Sequence, residues 1–158
     1  MKLPFDLSRP ISGEASVEID KPVDIVFSFI ADRFFDNYPK WATDVVDLQP
    51  LDGNNVFVGA KAKQVREDNG SLIESVFEIV EYQPCIKFIF EGVNAPYKQS
   101  YLIVSKTEDE QTKLVFRFDL SEVEIFMRPF EKLIRVAIED GAESTVENIK
   151  NLILAECN

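Results

Sequence analysis

The C-terminal segment constrains this chain most. From about Phe126 to Glu156, apolar side chains recur every three or four residues for about eight turns. Phe126, Phe130, Leu133, Ile134, Ala137 and Ile138 begin a stripe, and Gly141, Thr145, Ile149, Leu152 and Ile153 continue it. Glu131, Arg135, Glu139, Glu143, Glu147 and Lys150 lie largely off that stripe. Pro129 cannot donate the amide hydrogen that a helix interior requires, so regular helix is expected to begin close to it. A helix this long with one apolar face has to lie along a sheet or a partner.

The preceding sequence supplies the sheet. Residues 11–20 alternate, with Ala15, Val17 and Ile19 on one face and Ser16 and Glu18 on the other. After Lys21 the period changes: Asp20 can cap a helix, Pro22 suits its first turn, and Val23, Val26, Phe27 and Ile30 fall at helical spacing. A second short helix is expected over Arg33 to Tyr38, ending before Pro39. The period then returns to two. Strands are expected over 43–51, 56–67, 71–83, 85–92, 97–106 and 112–120, with turns at Asp52-Gly53-Asn54-Asn55 and Asp68-Asn69-Gly70. Links this short cannot form parallel crossovers, so the strands make an antiparallel meander.

Two strands show which face is core. Leu114, Phe116, Phe118 and Leu120 alternate against Val115, Arg117 and Asp119, and Ile86, Phe88 and Phe90 alternate against Lys87, Ile89 and Glu91. Strand 97–106 leaves two alternatives, with either Gln99, Tyr101 and Ile103 or Ser100, Leu102 and Val104 pointing inward.

Composition excludes several function classes. The 158 residues fit one domain over 1–158 with a core of about 11–155, and a chain of this size buries roughly 70% of its unfolded surface. Thirteen Phe residues make that interior dry and apolar. A net charge of −11 repels phosphate backbones and anionic lipid surfaces, so neither nucleic-acid binding nor stable membrane insertion is expected. There is no His, and Cys85 and Cys157 have no metal-ligand spacing, so no metal, no cofactor and no His-dependent nucleophile is expected. Met1 to Pro10 has no apolar leader region and no apolar run is long enough to span a bilayer, which points to a cytoplasmic protein with reduced thiols.

The order of elements and several residues together resemble the Bet v 1-like, START-related superfamily of SRPBCC proteins, and most closely its bacterial polyketide cyclase/dehydrase-like branch. Pro22, Val26, Phe27, Ile30, Asp32, Tyr38 and Trp41 resemble that branch's proline-opened helix and following tryptophan. Val58-Gly59 resembles the opening of its third strand. The run Glu78-Ile79-Val80-Glu81-Tyr82-Gln83-Pro84, followed by Phe90-Glu91-Gly92, resembles a strand end and the hairpin after it. The resemblance spans roughly 11–155 and implies an α+β helix-grip fold. In that fold a curved antiparallel sheet of about seven strands carries two short helices after its first strand and a long C-terminal helix across it. It also implies a cavity between sheet and helix for a lipid, sterol, polyketide or hormone.

With such a cavity, the inward positions of the sheet become its candidate lining: Ala62, Gln64, Ser75, Phe77, Phe88 and Phe90, then Tyr101, Phe116 and Phe118. Trp41 would stand at its mouth, with Phe130, Ile134, Ile138 and Gly141 across from the sheet. Each has a plainer reading. Trp41 serves equally as a packing anchor, which is how most large aromatics serve. The small residues Ala60 and Ala62 leave volume under the helix or pack a bulky neighbour, with Gln64 as one amide among them. Gly141 costs a helix about 1 kcal/mol relative to Ala, and close approach to the sheet is the expected reason rather than room kept for a ligand. The carboxylate pairs Glu74/Glu78 and Glu122/Glu124 read as solvated, Arg117 as facing water or a carboxylate, and Asp32-Arg33 as a cap and ion pair.

No catalytic residue is assigned. The residues point to a carrier or binding protein for a small hydrophobic molecule. The alternatives are a polyketide cyclase or dehydratase, which would use Gln64, Ser75, Tyr101 and Arg117 to hold a folded substrate, or a protein-interaction module.

Overall fold

A computed structural model describes residues 10–106, 110–123 and 125–157, with the side chains of Ile125 and Phe126 left out. Residues 1–9, Glu124 and the Phe126 side chain therefore lie outside the described residues.

β1 (Ile11–Ile19) leads into α1 (Val23–Phe27), a single π-helical turn over Ser28–Asp32, and α2 (Phe34–Trp41). Then follow β2 (Val45–Pro50), β3 (Lys61–Asp68), β4 (Ser71–Gln83), β5 (Lys87–Gly92), β6 (Tyr97–Ser105) and β7 (Thr112–Leu120). A 3-10 turn over Ile125–Phe130 precedes α3 (Glu131–Glu156). The strands form one antiparallel seven-stranded sheet in the order β1-β7-β6-β5-β4-β3-β2, so β1 and β2 are its edges. This is the α+β helix-grip fold.

Local chemistry explains the connections. Asn69 and Gly70 both have positive φ, which lets a two-residue turn join β3 to β4 with Asp68 opposite Ser71. A register shift between Ile79 and Glu81 marks a bulge in β4, the device by which a sheet curves around a helix. On the outer face, Lys63 pairs with Glu74 at 3.0 Å and Lys61 with Glu78 at 3.9 Å, so those carboxylates are solvated partners of lysines.

Several boundaries differ from expectation. Pro39 lies inside α2. Phe34, Asn37, Tyr38 and Trp41 form one fully buried face there, and burying that face outweighs the one backbone bond that proline removes. Asp20 caps nothing: α1 has Pro22 at its N-cap, and Asp20 Oδ1 accepts from Gln111. Asp32 accepts from the Tyr82 hydroxyl, and the Arg33 guanidinium sits 5.4 Å from the Phe29 ring centroid. The third strand opens at Lys61, after Val58-Gly59, because Gly59 adopts φ +99° in a turn. Strand 97–106 turns Tyr97, Gln99, Tyr101 and Ile103 inward and leaves Leu102 and Val104 exposed.

The helix stripe holds at Ile149 and Ile153 and is rephased before them. Ala142, Val146, Ile149 and Ile153 are the buried residues of α3, whereas Phe130 and Leu133 are 51% and 69% exposed. Close approach does occur, but at β1: a Cβ on Gly13 would lie 2.6 Å from Ile138 Cγ2, while one on Gly141 would meet nothing within 4 Å. The expectation that Gly141 marks close packing is thereby overturned. The missing side chain that lets helix and sheet touch belongs to the strand.

Candidate functional site

The interior under the sheet divides into a filled half and an open half. Phe34 of α2 fills the first. Its ring lies 4.8 Å from Phe88, 5.1 Å from Phe90 and 5.9 Å from Phe77, all fully buried. Phe77, Phe88, Phe90 and Ala62 are therefore core around a plug, not walls of a void.

The open half lies beside the first turns of α3. There a cavity of about 570 Å³ is bounded on the sheet side by Phe116, Phe118 and Leu120 of β7 and Gln99 of β6. α3 supplies Ile134, Ile138, Gly141, Thr145 and Asn148. Tyr38, Trp41, Asp44 and Arg66 close the remaining side. The space exists because the 3-10 turn and the rephased helix leave Ile134 and Ala137 away from the sheet, and because nothing projects from Gly141.

A buried polar network backs this cavity. The Tyr38 hydroxyl donates to Gln64 Oε1 at 3.0 Å, and Gln64 Nε2 donates to the hydroxyls of Tyr97 at 3.1 Å and Ser75 at 3.4 Å. Alongside it, Trp41 Nε1 donates to the Tyr101 hydroxyl, which donates to Gln99 Oε1, both at 3.2 Å. Gln64 has no exposed surface, so its carboxamide satisfies neighbouring hydroxyls instead of water. Burial raises the phenol pKa of Tyr38, Tyr97 and Tyr101, and these side chains remain neutral hydrogen-bonding groups at neutral pH.

The cavity also holds an ion pair. Arg66 Nε donates to Asp44 Oδ2 at 2.8 Å, and Nη2 donates to the same oxygen. Burial disfavours the guanidinium charge, yet the hydrogen bond and charge of Asp44 more than offset it, and the Arg66 pKa is raised. The Glu67 amide donates to the Asp44 carbonyl at 2.9 Å, which fastens the turn after α2 to β3. Asn148 Nδ2 similarly holds α3 to the end of α2 through the Trp41 carbonyl at 3.1 Å.

The residues expected at a pocket thus separate. Trp41, Phe116, Phe118, Ile134, Ile138 and Gly141 line the cavity together. Gln64, Ser75 and Tyr101 lie in the network behind it. Phe130 is half exposed beyond its lining, and Arg117 points to the outer face, 3.0 Å from Asp119. Trp41 is buried in the core and also lines the cavity.

Sequence reasoning missed Asp44, Arg66, Tyr38 and Asn148. Arg66 had a signal: it stands two residues beyond Gln64 on the same strand face. Asp44 had none: it falls inside the strand expected over 43–51, whereas β2 begins at Val45 and Asp44 lies in the turn after α2. Among the described residues no cluster of His, Cys, Asp and Glu could hold a metal ion, and no helix is long and apolar enough to cross a membrane.

A helix gripped by a curved antiparallel sheet, with a cavity between them, defines the Bet v 1-like class of proteins. Within it the chain belongs to the polyketide cyclase / dehydrase and lipid transport family, whose model matches residues 10–153. No curated protein matches its sequence. Solved structures share the fold at low identity. The protein TTHA0849 from Thermus thermophilus is 16% identical with a TM-score of 0.74, covering 93% of this chain and 99% of its own. The Zhui aromatase/cyclase from Streptomyces sp. R1128 is 12% identical with a TM-score of 0.74, covering 95% and 97%. A point mutant of Thalictrum flavum norcoclaurine synthase, in complex with a transition-state analogue, is 11% identical with a TM-score of 0.73, covering 94% and 97%.

Proposed function

We propose that this protein binds or carries a small hydrophobic molecule, lipid- or polyketide-like, in the cavity between β7 and α3. The observation that supports this reading is the 570 Å³ void between the Phe116–Phe118 wall and the Gly141 stretch of α3. Apolar walls with a few convergent polar groups are the usual composition of small-molecule sites. A ligand seated there would take the apolar side chains of Phe116, Phe118, Ile134 and Ile138 out of contact with water, which favours occupancy. The test is mass spectrometry of organic extracts from purified protein, together with titration by the neutral dye Nile red. A copurifying apolar molecule, or saturable dye binding lost in Gly141→Phe, is the expected result. A protein that is reproducibly empty and takes up no dye overturns the reading.

A cyclase or dehydratase is the second reading, favoured by Tyr38 and Gln99 standing at the cavity wall with their partners fixed behind them. The family's description includes that chemistry, and Zhui is an aromatase/cyclase of the same fold. In such a site, holding a flexible substrate in a folded pose supplies much of the rate. Gln64, Ser75 and Tyr101 would act only through the groups in front of them, and Arg117 takes no part. Turnover of a poly-β-ketone that falls in Tyr38→Phe while binding is retained would support this reading over simple carriage.

A further inference from the structure

The charge of the cavity wall limits what the cavity accepts. Among the described residues, Asp44 and Arg66 are the only charged side chains lining it, and they are bonded to each other through Nε and Nη2 of the arginine. Every other polar group on the wall is neutral: the Tyr38 hydroxyl, the Trp41 indole N–H, the Gln99 and Asn148 carboxamides, and the hydroxyls of Thr43, Ser144 and Thr145. An entering carboxylate would meet the attraction of Arg66 and the repulsion of Asp44 at similar range. It would give up its hydration with no net Coulomb energy in return. An ammonium group meets the same balance with the signs exchanged.

Most of the neutral polar groups lie on α2, the turn after it and the middle of α3, with Gln99 of β6 beside Phe118 as the one on the sheet. Phe116, Phe118 and Leu120 of β7 and Ile134 and Ile138 of α3, by contrast, have no polar atom in their side chains. We infer that the Asp44–Arg66 pair makes this a cavity for an uncharged amphipathic molecule, whose hydroxyl, carbonyl or amide end meets the neutral polar wall while its apolar body lies along β7. The inference rests on the binding reading proposed above and specifies the class of ligand.

Three probes with one ring system separate charge from shape: 2-naphthol, uncharged at neutral pH, 2-naphthoate, and 2-naphthylmethylammonium. Binding is measured by displacement of Nile red from the full chain. The parent is expected to bind naphthol about tenfold more tightly than either ion, because an entering ion loses hydration at a half-exposed ion pair that offers it no net charge. Asp44→Asn leaves Arg66 uncompensated and should move the preference to naphthoate. Arg66→Gln should move it to the ammonium, and Asp44→Asn/Arg66→Gln together should return it to naphthol, a coupling that loss of structure would not produce.

The net charge of −11 provides a control, because a field from the whole molecule would favour the ammonium in every variant. Tightest binding of the ammonium by the parent, or the same preference order in all four proteins, overturns the inference while leaving hydrophobic binding intact. If no variant binds Nile red or any probe, the binding reading falls and takes this inference with it.

Discussion

Ile138 of α3 lies directly against Gly13 of β1, so close that a Cβ on Gly13 would stand 2.6 Å from Ile138 Cγ2 and 3.0 Å from the Glu139 amide nitrogen. The contact anchors the first half of the helix on the edge strand, and the cavity opens on the other side of that anchor. Gly13→Ala must therefore lift α3 or bend β1. The expected loss is about 1–3 kcal/mol, the range for overpacking a close contact. Urea denaturation measures it, and a variant as stable as the parent would show that the helix is free to move away.

Phe34 is the plug that keeps the other half of the sheet closed. Phe34→Ala removes a fully buried ring from among Phe77, Phe88 and Phe90 and leaves the space it occupied. The expected destabilisation is about 3–5 kcal/mol. If the variant folds, it should take up additional Nile red, since the new void lies among apolar rings and borders the cavity at Tyr38, 4.8 Å from the Phe34 ring. A loss below about 1 kcal/mol would mean that the short helices collapse to fill the gap.

The difference between plug and void is where sequence reading reached its limit. Alternation placed Phe77, Phe88, Phe90, Phe116 and Phe118 on one face of the sheet, and all five do point inward. Periodicity says which way a strand residue points, but not what stands opposite. Phe34 falls inside the helix expected over Arg33 to Tyr38, but periodicity does not say which sheet residues its ring meets. On α3 the stripe tolerated two phases. One contact that fixes the helix on the sheet is with Gly13, a residue more than a hundred positions away in sequence whose importance appears only when helix and strand are brought together. Arg66 was legible by parity with Gln64. Its partner Asp44 was not, because a turn residue has no periodicity to read.

Gln64 makes three hydrogen bonds with no exposed surface. Gln64→Leu keeps the volume but strands the Tyr38, Tyr97 and Ser75 hydroxyls, at a cost of about 1–3 kcal/mol for each left unsatisfied. Adding Tyr38→Phe removes one of those orphaned groups, so the double variant should recover part of the loss. A double-mutant cycle measures the coupling, and strict additivity would mean that the two side chains do not interact.

The buried phenols also set the response to alkali. Burial raises their pKa values above the ordinary phenol value of 10.0, so the folded state keeps protons that the unfolded chain releases. The stability they contribute is complete below about pH 10 and declines as the pH rises beyond it. The slope should approach about 1.4 kcal/mol per pH unit for each such tyrosine. Urea midpoints followed through this range, alongside the tyrosinate absorbance, should show unfolding and ionisation together. Tyr38 and Tyr101 ionising freely in a folded protein would contradict the burial described here.

Gly141 separates the needs of the helix from those of the cavity. A Cβ there meets nothing within 4 Å, so Gly141→Ala adds a better helix former without a clash and should stabilise the fold by up to about 1 kcal/mol. Thr145 Oγ1 donates to the Gly141 carbonyl at 2.8 Å, a backbone contact that either side chain preserves. Gly141→Leu should retain most of that gain while sending a branched chain into the 570 Å³ space. Nile red affinity is then expected to change little in the alanine variant and to fall at least about tenfold in the leucine variant, the size of one lost apolar side-chain contact. Thermal melts and dye titrations on the same preparations check both halves. Two variants that are more stable and bind dye as the parent does would place the dye site elsewhere.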